Sequence, residues 1–166
     1  IDPLQELRPA PRKIDRLILE YCCGDDSLMG KPCTEAKGSK VVRLTEREDM
    51  STESGMIYAK AQVNAQPPEV VIIIWSAIPC TGGSPWQNIN RLMPGGEEKI
   101  RKHVELFRKL WRNLVRLVEW LVLKKRKWRL AVEWPRNCAY WRKKEVIDFC
   151  VKWGLFEVII DGCALG

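Results

Sequence analysis

Apolar residues along the chain follow two rhythms. Short runs rich in β-branched and aromatic residues predict strands: RLILEYCC over 16–23, KVVRL over 40–44, EVVIIIWSA over 69–77, WRLAVEW over 128–134 and LFEVII over 155–160. EVVIIIWSA is so continuously apolar that it predicts a strand buried on both faces. Other segments keep a helical period. Ile100, Val104, Phe107, Trp111, Leu114, Val118 and Leu121 recur at steps of three and four, so 97–123 predicts a long amphipathic helix. Arg101, Arg108, Arg112 and Arg116 fall on another face of it. A helix over 52–65 is predicted from Ser51 or Thr52 as its N-cap, Glu53 in its first turn and Pro67-Pro68 beyond its end. A further helix is predicted over 141–152, stopped by Gly154.

Strands alternating with helices in this order predict an α/β fold. The expected architecture is a three-layer, Rossmann-like, doubly wound, mainly parallel sheet of about five strands with helices on both faces. Residues 1–15, polar and proline-rich, read as an N-terminal arm or linker, and 16–166 as one domain. A chain of 166 residues, 46% hydrophobic, has room for one core. Its longest apolar run, from Val70 to Ile78, is too short to cross a bilayer, so no membrane partner is expected. A start at Ile1 and a stop at Gly166 lead to the expectation of a domain that is incomplete at its C-terminus.

Charge narrows the picture. The net charge is +7, and between Glu97 and Arg129 there are 12 basic against 4 acidic residues, or +8. The basic character therefore belongs to the long helix and the KKRK run after it. Such a stripe suits a phosphate backbone or an acidic partner, although a solvated helix face gives the same pattern. The 7 cysteines are odd in number, include no C-x-x-C pair, and are accompanied by one histidine, His103. That usage fits reduced thiols in an intracellular compartment, and no metal site is expected.

Ligands of parallel sheets bind at the carboxyl ends of the strands. Glu20, Cys23, Gly24, Asp25 and Asp26 follow the first strand; Thr45, Glu46 and Asp49 the second; Pro79 and Cys80 the third; Glu133, Trp134 and Pro135 the fourth; Asp161 and Cys163 the last. Acids, a thiol and glycines thus converge on one predicted rim. No G-x-G-x-x-G follows a strand, which argues against a dinucleotide-dependent oxidoreductase.

The blocks on this rim carry a resemblance. Pro79-Cys80-Thr81-Gly82-Gly83-Ser84 is similar to the P-C-x-G-x-S block of cytosine-C5 DNA methyltransferases. Glu20 to Leu28, EYCCGDDSL, resembles the first block of that family, and Glu133-Trp134-Pro135 resembles its Glu-Asn-Val/Pro block. PCTGGSPW also resembles segments of retroelement polyproteins. The resemblance implies S-adenosylmethionine as cofactor, nucleic acid and above all DNA as substrate, and a nuclear location. It implies Cys80 as the nucleophile at cytosine C6 and Glu133 as the acid at N3. It implies a cofactor site of Glu20, Cys23, Gly24, Asp25, Ser27 and Pro79, with Glu46 at the ribose hydroxyls and Asp49 near the adenine. Gly82, Gly83 and Ser84 would meet nucleic acid, with Arg101, Arg108, Arg112 and Arg116 along the helix. Trp134 stands where the family has an Asn that orders the cysteine loop, and Asp25 and Asp26 stand where it has small residues. The family's later blocks are absent, so an additional domain or subunit would supply them. The alternative is a catalytically inactive relative that binds nucleic acid or a partner protein through the basic helix.

Overall fold

A computed structural model describes residues 13–31 and 37–160. Most of the expected N-terminal arm, together with Cys33, Asp161 and Cys163, lies outside the described residues. The chain divides into two compact units, Ile1–Ala77 with Leu117–Val132, and Ile78–Arg116 with Glu133–Gly166.

The first unit holds a four-stranded, wholly parallel sheet. Its strands are β1 (Arg16–Tyr21), β2 (Ser39–Leu44), β3 (Val71–Ser76) and β4 (Trp128–Val132), in the order β2-β1-β3-β4. The register sets Leu17, Leu19 and Tyr21 beside Ile72, Ile74 and Ser76, all of them fully buried. Helix α1 (Glu53–Asn64) starts where the Thr52 hydroxyl accepts from the Gly55 N–H at 3.2 Å, and it buries Met56, Ala59 and Val63. The end of the long helix supplies Leu117, Val118 and Leu121 to the same unit's core. Lys60 of α1 lies 5.8 Å from the centre of the Trp120 ring on that helix. Beyond it, Arg126 donates to the carbonyls of Gln66 (3.0 Å) and Pro67 (2.9 Å) at the end of α1.

Strand order explains how the sheet is covered. The crossovers β2→β3 and β3→β4 run in the same direction across it. Parallel crossovers are right-handed, so both helices belong on one face. The β1→β2 connection runs the other way and contains no helix among the described residues. The opposite face is accordingly half-covered: Ile18, Val71, Ile73 and Trp75 are only partly buried. This corrects the expectation that β3 is buried on both faces, and among the described residues no crossover helix is assigned to the second face.

The second unit is helical. A 3₁₀ turn (Thr81–Gly83) is followed by α2 (Gln87–Asn90) and by α3 (Gly96–Leu123), whose first part belongs here. A second 3₁₀ turn (Ala139–Arg142) leads into α4 (Lys144–Trp153). Gly154 caps α4 with φ 64°, in the left-handed region. The core of this unit is aromatic. Phe107 and Tyr140 stack with centroids 3.8 Å apart, and Trp111, Trp134 and Phe149 pack around them. The predicted strand 155–160 does not form. These residues have no strand pairing, and Phe156 is 85% exposed.

Among the described residues no helix is long and apolar enough to cross a membrane.

Candidate functional site

The sequence-predicted site residues fall into two groups, one in each unit. The first lies at the carboxyl ends of β1 and β2. The chain leaves β1 toward β2 on one side, and β3 lies on the other, so the carboxyl ends of β1 and β3 mark a topological switch point.

β1 ends because Cys22 adopts φ 63°, a conformation that costs an L-residue about 1 kcal/mol or more. The Cys22 N–H nevertheless donates to the Leu44 carbonyl at 3.0 Å. Cys22 and Cys23 therefore do not alternate along a strand. A tight turn follows, with the Ser27 N–H donating to the Gly24 carbonyl at 3.3 Å. Glu20 is 5% exposed and accepts from the Ser27 hydroxyl, while Arg43 of β2 approaches its other oxygen at 3.8 Å. Arg43 also donates to the carbonyls of Asp25 (3.4 Å), Ser27 (2.6 Å) and Met29 (3.2 Å). The loop is thus held by a guanidinium from the neighbouring strand. Glu20 and Ser27 serve that internal network rather than facing outward. Burial, then the neighbouring Glu20 carboxylate, pushes the Cys23 thiol up to about 11. Asp25 pairs with Arg47 at 3.3 Å. The Ser76 hydroxyl, at the carboxyl end of β3 and beside Tyr21 in register, is buried without a hydrogen-bond partner.

After β2 the residues divide by role. Glu46 is exposed. Glu48, which the residue pattern alone did not single out, accepts from the Thr45 N–H and hydroxyl, each at 2.8 Å. Burial alone would raise its carboxyl, but these two bonds hold it below the usual range. Asp49 accepts from the Ser51 N–H (3.1 Å) and hydroxyl (2.7 Å), an Asx turn that sets up the Thr52 cap. Its carboxylate is therefore engaged locally.

The second group surrounds Cys80, which follows β3 closely in the chain. Pro79 is exposed and Cys80 half-exposed. The Cys80 carbonyl accepts from the Gly83 N–H at 2.8 Å, closing the 3₁₀ turn. The turn is braced from three directions. Trp134 Nε1–H donates to the Ile78 carbonyl at 2.7 Å. Gln87 Nε2–H donates to the Thr81 carbonyl at 2.6 Å. Gly82 and Gly83 rest on Tyr140 and Cys138, and a Cβ added to Gly83 would lie 2.7 Å from the Cys138 sulfur. The two glycines are required by this close approach, and Gly83 is buried. That corrects its assignment to nucleic acid. Ser84 accepts from the Trp86 N–H at 3.3 Å, within the turn. Burial raises the Cys138 thiol above its ordinary value, with the nearby Cys80 adding to the shift. Tyr140 is raised by burial, then by Cys138 and Cys80. Glu133 is exposed and engaged by no hydrogen bond or ion pair among the described residues.

The four arginines of α3 are not equivalent. Arg101 is held by Glu98 at 2.7 Å and by Glu105 at 2.6 Å, so its charge is locally neutralised. Arg116 donates to the Asn113 side chain at 3.1 Å. Arg108 and Arg112 are exposed and have no partner among the described residues. Of the four arginines, these two are the ones left unengaged among the described residues. Among the described residues no group of three or more His, Cys, Asp or Glu could hold a metal ion.

No family model, curated protein or solved structure matches the chain.

Proposed function

We propose that the chain is an S-adenosylmethionine-dependent methyltransferase domain of the cytosine-C5 type, Rossmann-like in fold and acting on nucleic acid. The observation that carries the reading is Cys80 itself. A half-exposed thiol stands on a turn just after a central parallel strand, and Trp134, Gln87 and Tyr140 fix that turn. Trp134 gives the cysteine loop an ordering hydrogen bond from the position where the resembled family uses Asn. Rigid presentation of a thiol is what nucleophilic addition requires.

In this reading the Cys80 thiolate bonds to cytosine C6 while Glu133, free of other partners, gives a proton at N3. The adduct makes C5 nucleophilic. After C5 is substituted, its proton is lost to water, the C6–S bond breaks to return the thiolate, and N3 gives its proton back to Glu133. S-adenosylmethionine, when bound, supplies the electrophilic methyl group. The buried, unpartnered Ser76 hydroxyl at the switch point fits a polar group of such a cofactor, and the exposed Glu46 fits its ribose hydroxyls. Asp49 is exposed and Ser51 engages only its Oδ1, which leaves Oδ2 for the adenine amino group.

The test is covalent trapping. With labelled S-adenosylmethionine and DNA or RNA carrying 5-fluorocytosine, the reading expects an adduct that is lost in Cys80→Ser and strongly reduced in Glu133→Gln. A wild-type chain that forms none with either nucleic acid sinks it. A second reading, an inactive module that binds nucleic acid, is favoured by one observation: Arg108 and Arg112 are exposed and unpaired. It expects salt-sensitive binding without any adduct.

A further inference from the structure

Between α3 and α4, within the second unit, lies an open groove of about 460 Å³. Arg108, Trp111 and Arg112 line it from α3, and Glu145, Phe149 and Lys152 from α4. Its floor is aromatic, with Trp111 and Phe149 edge-to-face at 5.3 Å. Trp111 is 4% exposed, yet its Nε1–H has no acceptor. A buried donor left unpaired costs about 1–3 kcal/mol. Arg108 and Arg112 sit one helical turn apart on the rim, both unpaired. On the other wall Asp148 is occupied by Lys144 at 2.6 Å, whereas Glu145 is exposed and unpaired among the described residues.

We infer that this groove binds one nucleotide of a single strand. The phosphate lies at Arg108 and Arg112, and the base lies over the Trp111–Phe149 floor with an amino group toward Glu145. Each feature answers a part of that ligand. The arginines supply forked donors for phosphate. The apolar aromatic floor suits a flat ring laid across it. A carboxylate accepts from cytosine N4 or adenine N6, but it repels the carbonyl that thymine and uracil present there. The volume falls within the range of small-ligand sites. An acidic peptide would use the arginines equally well, but Glu145 would face it with like charge. The inference rests on the nucleic-acid reading above and adds where a base is read and which bases are preferred.

The experiment is fluorescence anisotropy of the full chain with labelled dC12 and dT12 across a salt series, without S-adenosylmethionine. Expected are tighter binding of dC12 than dT12 by about fivefold or more, and at least tenfold weaker dC12 binding in the double variant Arg108→Ala/Arg112→Ala. The slope of log K against log salt should fall by about 0.7 in that variant, because one phosphate is no longer neutralised on a single strand. Glu145→Gln should erase the preference for dC12, and circular dichroism verifies that the exposed substitutions leave the fold intact. Binding of dC12 that ignores the arginine pair overturns the groove and leaves the methyltransferase reading standing. Absence of the fluorocytosine adduct with the groove effects intact does the reverse. Failure to bind either oligonucleotide, or displacement of dC12 by polyglutamate more readily than by dT12, overturns the groove as a nucleotide site.

Discussion

Replacing Gly83 with alanine tests whether the cysteine loop is rigid by close packing. The added methyl would stand 2.7 Å from the Cys138 sulfur and 2.9 and 3.0 Å from two carbons of the Tyr140 ring. Carbon atoms in contact prefer about 3.5–4.0 Å, so every neighbour would have to retreat by about half an ångström or more. None has room. The Tyr140 ring is stacked on Phe107 at 3.8 Å and edge-on to Trp134 at 5.6 Å, and Cys138 is buried. Overpacking of this kind costs about 1–3 kcal/mol, and three simultaneous close approaches put Gly83→Ala in the upper part of that range. A loss of about 2–3 kcal/mol lowers the melting temperature of a chain this size by about 4–12 °C. The assay is a urea titration, in which the midpoint should fall at constant slope. Cys138→Ala removes the sulfur and should relieve part of the clash. The double variant should then be more stable than additivity predicts, by about 1 kcal/mol. A Gly83→Ala protein within about 0.5 kcal/mol of wild type, or strict additivity with Cys138→Ala, would refute the packing argument.

Three further outcomes are expected. Trp134→Phe keeps a ring but removes the donor to the Ile78 carbonyl, so stability should fall by about 1–2 kcal/mol, and Cys80 should react faster with iodoacetamide as its loop loosens; unchanged values of both would count against the brace. Arg126→Ala should cost about 1–3 kcal/mol by freeing the carbonyls of Gln66 and Pro67, and Arg126→Lys should not restore it, since one ammonium cannot reproduce the fork; full rescue by lysine in a thermal melt would contradict this. The raised Cys23 thiol makes the folded state prefer the protonated form. Its contribution is fully present below the ordinary thiol value of 9.0 and is lost as pH rises from there through about 11; the loss should be smaller in Cys23→Ala, as followed by denaturation at graded pH.

Much of the fold was legible because its signals are local. Four of the five predicted strands form, with ends shifted by a few residues at most, and the Thr52 cap and the α3 stripe stand where spacing put them. The run at 155–160 misled because its apolar, β-branched pattern meets the strand signal without fixing any pairing, which the rest of the fold decides. The half-covered face of β3 depends on strand order, which no single segment encodes. At the site, the positions of Cys80 and Glu133 after strands were readable, but their surroundings were not. Arg101 looked equivalent to Arg108 until Glu98 and Glu105 were placed beside it, although the i,i+3 and i,i+4 spacing was a usable warning. Thr45 and Glu48 also carry a readable signal, a T-x-x-E box. Nothing local announced that Trp134 reaches Ile78, because that bond joins residues far apart in the chain.

The guanidinium of Arg43 also sets an order of assembly. The loop following β1 takes its hydrogen bonds from a residue on β2, so it cannot acquire its shape until those two strands have paired. It is therefore a late-folding segment whose substitutions should alter unfolding rates more than folding rates. By the same logic it should be among the first parts of the unit to open in the native state, exchanging its amide hydrogens well before the strands that flank it. Whatever ligand that end of the sheet accepts would then meet a loop whose closing depends on strand pairing already complete.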